Sequence, residues 1–184
     1  RPVVGAEIRI VDEDDNDLPN GTIGEIIVNG PQVMKGYWNL QDESDEALRG
    51  GWMHTGDAGV IDDEGYLYVQ DRVKDMIVSG GENVYPRVVE DVLFTHPAVA
   101  DSAVIGVPDA QWGETVKALV VLREGASVTD EEIMEFCLGK LGGFERPTSV
   151  DFVTELPRNA TGKVLKRVLR EPYWEGHGRR VAGV

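Results

Sequence analysis

One cysteine, three histidines and a shortage of positive charge set the first limits on this 184-residue chain. A lone Cys137 excludes an intramolecular disulfide framework, and His54, His96 and His177 are too scattered to suggest a zinc-type ligand set, so no metal site is expected. Eighteen Lys and Arg against 33 Asp and Glu leave a formal net charge of −15. That balance argues against nucleic acid as a partner, because a phosphate backbone needs an electropositive footprint. Long hydrophobic runs are missing as well: the longest, such as residues 118–122, have strand length, far below the ~20 residues that span a bilayer. No transmembrane segment is expected and no signal-peptide pattern opens the chain. The expected setting is reducing and cytoplasmic, with peripheral membrane association compatible with it.

What is present supports a real core. With 41% hydrophobic residues, the length suits one domain or two small ones. Charge divides the chain near position 71. Residues 1–71 carry 4 basic and 16 acidic side chains, whereas residues 158–184 carry 7 basic and 2 acidic. A basic end on an acidic protein is either a solvated helix or a place to meet a small anion.

The first seventy residues read as short strands and turns, at 6–11, 24–29, 58–61 and 66–70, with an acidic turn at 12–17 and a tight turn at 62–65. After Asp71 the pattern changes. A short strand at 75–78 ends in Ser79-Gly-Gly81, and Pro86 opens a helix whose Val88, Val89, Val92 and Leu93 share a face. Strands at 101–107 and 115–122 follow. Thr129-Asp-Glu-Glu132 reads as a capping box at the start of another helix, and a strand at 149–154 and a basic helix at 162–170 complete the chain. The expected class is α+β: a β-rich subdomain, a piece of a distorted barrel, over residues 1–71, then a small α/β sandwich over 72–184. The joint, Asp71-Arg-Val-Lys-Asp75, has no Gly, Ser or Pro linker, which suits a hinge of few dihedrals.

Chemistry concentrates in four segments. In Thr55-Gly-Asp57 a carboxylate sits beside glycine; this is commonly a turn, yet two carboxylate oxygens can also accept from two vicinal hydroxyls. In Asp71-Arg-Val-Lys-Asp75 an arginine is available for phosphate or ribose oxygens, or for a hairpin salt bridge. Ser79-Gly-Gly-Glu-Asn-Val-Tyr-Pro86 places paired glycines ahead of a helix, like a phosphate cradle, without the spacing of a dinucleotide fingerprint or a P-loop. Leu156-Pro-Arg-Asn-Ala-Thr-Gly-Lys163 ends in Gly-Lys, but Pro157 stands where a P-loop needs glycine and Val164 where it needs Ser or Thr. What remains is a lysine at the tip of a glycine loop.

In this order and spacing, the four segments resemble the C-terminal part of the adenylate-forming enzyme superfamily, and within it the acyl-CoA synthetases. Gly36-Tyr-Trp-Asn39, Gly51-Trp-Met-His-Thr-Gly-Asp57, Gly65-Tyr-Leu-Tyr68, Val104-Ile-Gly-Val-Pro-Asp109 and Trp112-Gly-Glu114 extend the likeness along the chain. The resemblance implies a two-step reaction in which a carboxylic acid and MgATP give an acyl-adenylate, from which the CoA thiol displaces AMP. It implies that Lys163 is the catalytic lysine of adenylation, that Asp57 holds the ribose hydroxyls and that Arg72 reaches the ribose and phosphate region. Lys74 falls at the hinge. Ser79, Gly80, Gly81 and Glu82 would line the pantetheine channel, and Trp112, Phe144 and Arg146 match positions that contact the CoA nucleotide. A second basic residue often found two places after that arginine is Thr148 here.

The resemblance further implies that the triphosphate loop, the adenine and magnesium ligands and the acyl pocket belong to a preceding N-terminal domain, which would be the chain's own partner. The expectation is a C-terminal piece, inactive alone, of a bacterial fatty-acyl-CoA ligase-like enzyme. The alternatives are an adenylation domain of a peptide synthetase and a non-catalytic CoA- or nucleotide-binding module.

Overall fold

The computed structural model describes residues 1–176, so His177, Arg179 and Arg180 of the basic end lie outside the described residues. The chain divides into two compact units, Arg1–Lys74 and a second that begins at Asp75.

The first unit is built on short-range pairing. Strands β1 (Glu7–Val11), β2 (Gly24–Asn29), β3 (Met53–Ile61) and β4 (Leu67–Arg72) pair antiparallel in chain order, an open four-stranded sheet rather than a closed barrel. Neighbouring residues of a strand point to opposite faces, and both members of Ile10/Val11 and Ile26/Ile27 are buried, so apolar side chains are covered on both faces. Helix α1 (Gln41–Ala47) was not expected from sequence. Its residues, Gln-Asp-Glu-Ser-Asp-Glu-Ala, have no apolar stripe, and only Ser44 is buried. It is fixed instead by polar contacts, since the Ser44 hydroxyl accepts from Tyr37 N at 2.8 Å and donates to the Leu40 carbonyl.

In the second unit, β5 (Ile77–Ser79), β6 (Glu82–Val84), β7 (Val99–Asp109), β8 (Gly113–Leu122) and β9 (Ser149–Phe152) form one sheet. The order is β6-β5-β8-β7, with β9 parallel alongside β8 and every other pair antiparallel. Helices α2 (Pro86–Phe94), α3 (Asp130–Phe136) and α4 (Lys166–Trp174) complete the unit. Strand alternation assigns the faces. Val104, Val116, Ala118 and Val120 point to the side where Val89 and Leu93 of α2 and Ile133 of α3 are buried. Ala103, Ile105, Val107 and Leu119 point to the other side, with Leu156 and with Leu169 and Tyr173 of α4. Removing one of the larger buried side chains, such as Leu93, would cost about 2–5 kcal/mol. The capping box expected at Thr129 is present in both directions: Glu132 N donates to Thr129 Oγ1, and Thr129 N to Glu132 Oε2 at 2.8 Å.

Three expectations need correction. The paired glycines do not lead into a helix. Gly80 and Gly81, at φ +61° and +89°, are the two central residues of a hairpin in which Ser79 pairs with Glu82. A two-residue turn of this hand needs positive φ at both positions, which is what Gly-Gly supplies, and β6 then separates it from α2. The short strand begins at Ile77 rather than Asp75, because Val73–Asp75 form a 3₁₀ turn. The last helix runs Lys166–Trp174 rather than 162–170, because residues 159–163 close a turn of their own before it.

Candidate functional site

Each unit carries its own set of candidate residues. In the first, Asp57 and Arg72 are cross-strand partners on β3 and β4. Arg72 Nε lies 2.8 Å from Asp57 Oδ1 and also donates to the Gly56 carbonyl at 3.3 Å. The hairpin salt bridge is therefore real, and both side chains remain more than a third exposed. Nε fixes the guanidinium in the fork, which leaves the terminal amino groups to be directed at a ligand.

The backbone beside this pair is irregular. The register of β3 with β2 shifts here, between Glu25 and Ile27, and the pairing of β3 with β4 ends at Asp57 and Arg72, leaving Thr55 and Gly56 without a partner residue on either side. Side chains complete the bonding. Thr55 Oγ1 donates to the Ile26 carbonyl at 2.7 Å and accepts from Asp57 N, and Gly56 N donates to Glu25 Oε1 at 3.0 Å. Glu25 Oε2 in turn meets His54 Nδ1 at 3.0 Å and Arg49 Nη2 at 3.5 Å. The His54 side chain is only 5% exposed.

In the second unit Lys163 ends a turn closed on Asn159. The Asn159 Oδ1 accepts from the backbone N–H of Thr161 and of Lys163 at 3.0 and 2.9 Å, and Asn159 N donates to the Lys163 carbonyl. Gly162, at φ +83°, permits the reversal, and Arg158 donates to its carbonyl. The Lys163 residue itself is exposed. Helix α4 follows at once; none of its residues is fully buried, and polar pairs add to the packing of Leu169 and Tyr173 against the sheet. Lys166 pairs with Glu90 at 2.8 Å, Arg170 with Asp75 at 3.1 Å, Tyr173 donates to Asp151, and Trp174 Nε1 donates to the Gly106 carbonyl. Asp75 immediately follows Lys74, the last residue of the first unit.

The glycine hairpin and Trp112 are brought together. Gly80 N donates to the Trp112 carbonyl, and a Cβ on Gly80 would stand 2.7 Å from the indole. Only glycine fits under that ring, which stays half-exposed. Phe144 is also exposed. Arg146 lines a cavity of about 520 Å³ with Glu131, Met134, Glu135, Leu138 and Thr148. Its Nε is buried without a hydrogen-bond partner. The two glutamates in that lining offset its attraction for a phosphate. Thr148, where a second basic residue was looked for, bonds instead to the Thr115 hydroxyl and the Val116 carbonyl.

Comparison with known proteins follows the same map. The family described as AMP-binding enzyme C-terminal domain matches residues 88–163, ending on Lys163, and the AMP-binding enzyme family matches residues 1–38. The chain is 48% identical over 170 residues, 92% of its length, to a long-chain-fatty-acid–CoA ligase of Escherichia coli, covering 30% of that protein. It is 47% identical over 171 residues, 93% of its length, to a 2-succinylbenzoate–CoA ligase of Bacillus cereus, covering 35% of it. The ATP-bound structure of MatB from Rhodopseudomonas palustris superposes with a TM-score of 0.87 at 43% identity, over 95% of this chain and 35% of that one. The chain belongs to the adenylate-forming, AMP-binding enzyme family. It corresponds to the C-terminal part, and it spans about a third of the length of the curated relatives it matches.

Relatives of this AMP-binding enzyme chain include acid–CoA ligases named for different acids. Among the described residues, no group of three or more His, Cys, Asp or Glu side chains is placed to hold a metal ion, and no step is assigned through one. No helix among them is long and apolar enough to cross a membrane. Sequence reasoning missed Glu25, His54 and Asn159. The first two act on a bulge that only strand register reveals. The third was legible in principle, since Asp62 opens a turn of the same spacing.

Proposed function

We propose that this chain forms the C-terminal part of an ATP-dependent acid–CoA ligase, with long-chain fatty acids as the first substrate class to test. The observation that supports the reading best is Lys163. An exposed ammonium stands on a hydrogen-bonded turn in a chain 48% identical to a CoA ligase across 92% of its length. Attack of a carboxylate on the α-phosphate of ATP brings two anions together. A cation between them offsets the repulsion and stabilises charge at the pentavalent phosphorus, while the departing pyrophosphate takes the electron pair.

Asp57 would accept from the vicinal ribose hydroxyls, with its rotamer held by Arg72, whose remaining donors serve the ribose and phosphate oxygens. In the second half-reaction the CoA sulfur attacks the acyl carbon and AMP leaves. The Ser79–Glu82 hairpin suits a pantetheine arm, because Gly80 and Gly81 present backbone without side chains. Trp112, Phe144 and Arg146 are the candidates for the CoA nucleotide. Reorientation about Lys74 would exchange Lys163 for the hairpin between the steps. The 184-residue chain alone is expected to give no turnover.

In the full-length enzyme, Lys163→Ala is expected to lower acyl-adenylate formation by about 10²–10³, while thioester formation from supplied acyl-adenylate persists. Equal loss in both half-reactions would overturn the role of Lys163. ATP-dependent pyrophosphate release by the isolated chain would overturn its inactivity. A panel of fatty acids set against 2-succinylbenzoate decides the substrate class.

A further inference from the structure

Asp57 has a supporting structure that its own contacts do not explain. The β2–β3 register slips between Glu25 and Ile27, so Thr55 and Gly56 have no partner on β2, and β4 ends at Arg72 opposite Asp57; a bulge of this kind frees backbone groups that a regular ladder would bond. Gly56 adopts φ +68°, a conformation open to glycine, and its N–H points at Glu25 Oε1, 3.0 Å away. Glu25 belongs to β2 and pairs in register with Ala58, one residue beyond Asp57. Its second oxygen is gripped by His54 Nδ1 at 3.0 Å and by Arg49 Nη2 at 3.5 Å. One carboxylate therefore joins three points of the chain: the strand next to the site, the buried ring two residues before the bulge, and the bulge itself. On the other side, the Gly56 carbonyl receives Arg72 Nε. The peptide groups that aim Asp57 are thus held from both neighbouring strands.

We propose that Glu25, oriented by His54, is a positioning residue for Asp57: it holds the bulged Gly56 backbone so that the Asp57 carboxylate meets both ribose hydroxyls together. This rests on the reading of Asp57 as the ribose ligand. Glu25 touches no substrate. Its effect passes through the direction of the Asp57 side chain, so it acts on discrimination between sugars more than on the chemistry.

The test compares kcat/KM for ATP and for 2′-deoxyATP in the full-length enzyme. A charge-assisted bond to one hydroxyl gives a preference on the order of 10- to 100-fold. Glu25→Ala is expected to shrink that preference by roughly five- to tenfold, while Glu25→Gln, which keeps an oxygen for the Gly56 N–H, retains most of it. A merely structural role would lower both nucleotides equally and leave the ratio unchanged. If Glu25→Ala fails to fold, His54→Leu fills similar space without a donor for Glu25, and its ratio is read instead. Asp57→Asn separates the two claims. If Asp57→Asn collapses the preference and Glu25→Ala or His54→Leu, with a native melting curve, does not, the positioning role is overturned while the ribose assignment stands. An unchanged ratio in Asp57→Asn overturns the ribose assignment and the positioning role with it.

Discussion

Two turns in the first unit and one in the second are built to a single plan. In Asp12–Asn16, Asp62–Tyr66 and Asn159–Lys163 the first side chain accepts from the backbone N–H two and four residues on. The first and fifth residues also bond through their backbones, and the fourth has positive φ, at Asp15 (+61°), Gly65 (+79°) and Gly162 (+83°). The difference lies in the acceptor and in the fifth residue. The first unit uses aspartate, and the backbone N–H groups of Asn16 and Tyr66 hold the Asp12 and Asp62 carboxyls below their usual range. The second unit uses asparagine and ends on Lys163. A charged acceptor closes a turn more strongly. It would also set a negative charge beside the lysine proposed to meet ATP, so the neutral acceptor gives up turn strength to keep the ammonium's field undivided.

That comparison can be broken by exchanging the acceptors. The largest effect is expected from Asn159→Ala, which releases the turn and should bring adenylation in the full-length enzyme close to the Lys163→Ala level. Asn159→Asp keeps both backbone bonds but adds a carboxylate, and adenylation should fall about tenfold, recovering in part at high salt. The reciprocal Asp62→Asn should leave adenylation unchanged. Pyrophosphate exchange measured on the three variants checks the set, and equal rates for Asn159→Asp and wild type would remove the electrostatic argument.

The sequence was most readable where a regular period meets a core. Most strands of both units, helix α2 and the Thr129 capping box follow from alternation, a 3.6-residue stripe and a capping pair. Reading failed where the deciding contact is made elsewhere in the chain. Gly80-Gly81 looks like a phosphate cradle until β6 is known to pair with β5, and Glu82-Asn83-Val84 is too short and polar to announce a strand. Helix α1 rests on one serine, and α4 was placed four residues early, although Val164 packs against the sheet before the helix begins. Within the candidate site, Asp57, Arg72 and Lys163 were visible as residue types in order. Glu25 was not, because its partner Gly56 is thirty-one positions away and becomes a partner only through the bulge.

The smallest effect expected concerns how each unit holds its candidate residues. Asp57 and Arg72 stand on strands fixed by ladder bonds, whereas the helix that follows Lys163 is docked by polar pairs, among them Tyr173 with Asp151, which also binds Lys117 at 2.8 Å. Burial, and then the bond to Asp151, push the Tyr173 phenol up to about 12 from an ordinary value of 10. The fold thus favours the neutral phenol. Its contribution is intact below pH 10 and is lost as pH rises towards 12. In the first unit Asp62 pushes Tyr68 in the same direction, but Tyr68 is exposed and anchors no helix. Melting curves of the 184-residue chain should therefore fall between pH 10 and pH 12. Tyr173→Phe, which keeps the ring and loses the proton, should flatten most of that fall, and Tyr68→Phe little of it. An alkaline loss that survives Tyr173→Phe would overturn the role of the phenol.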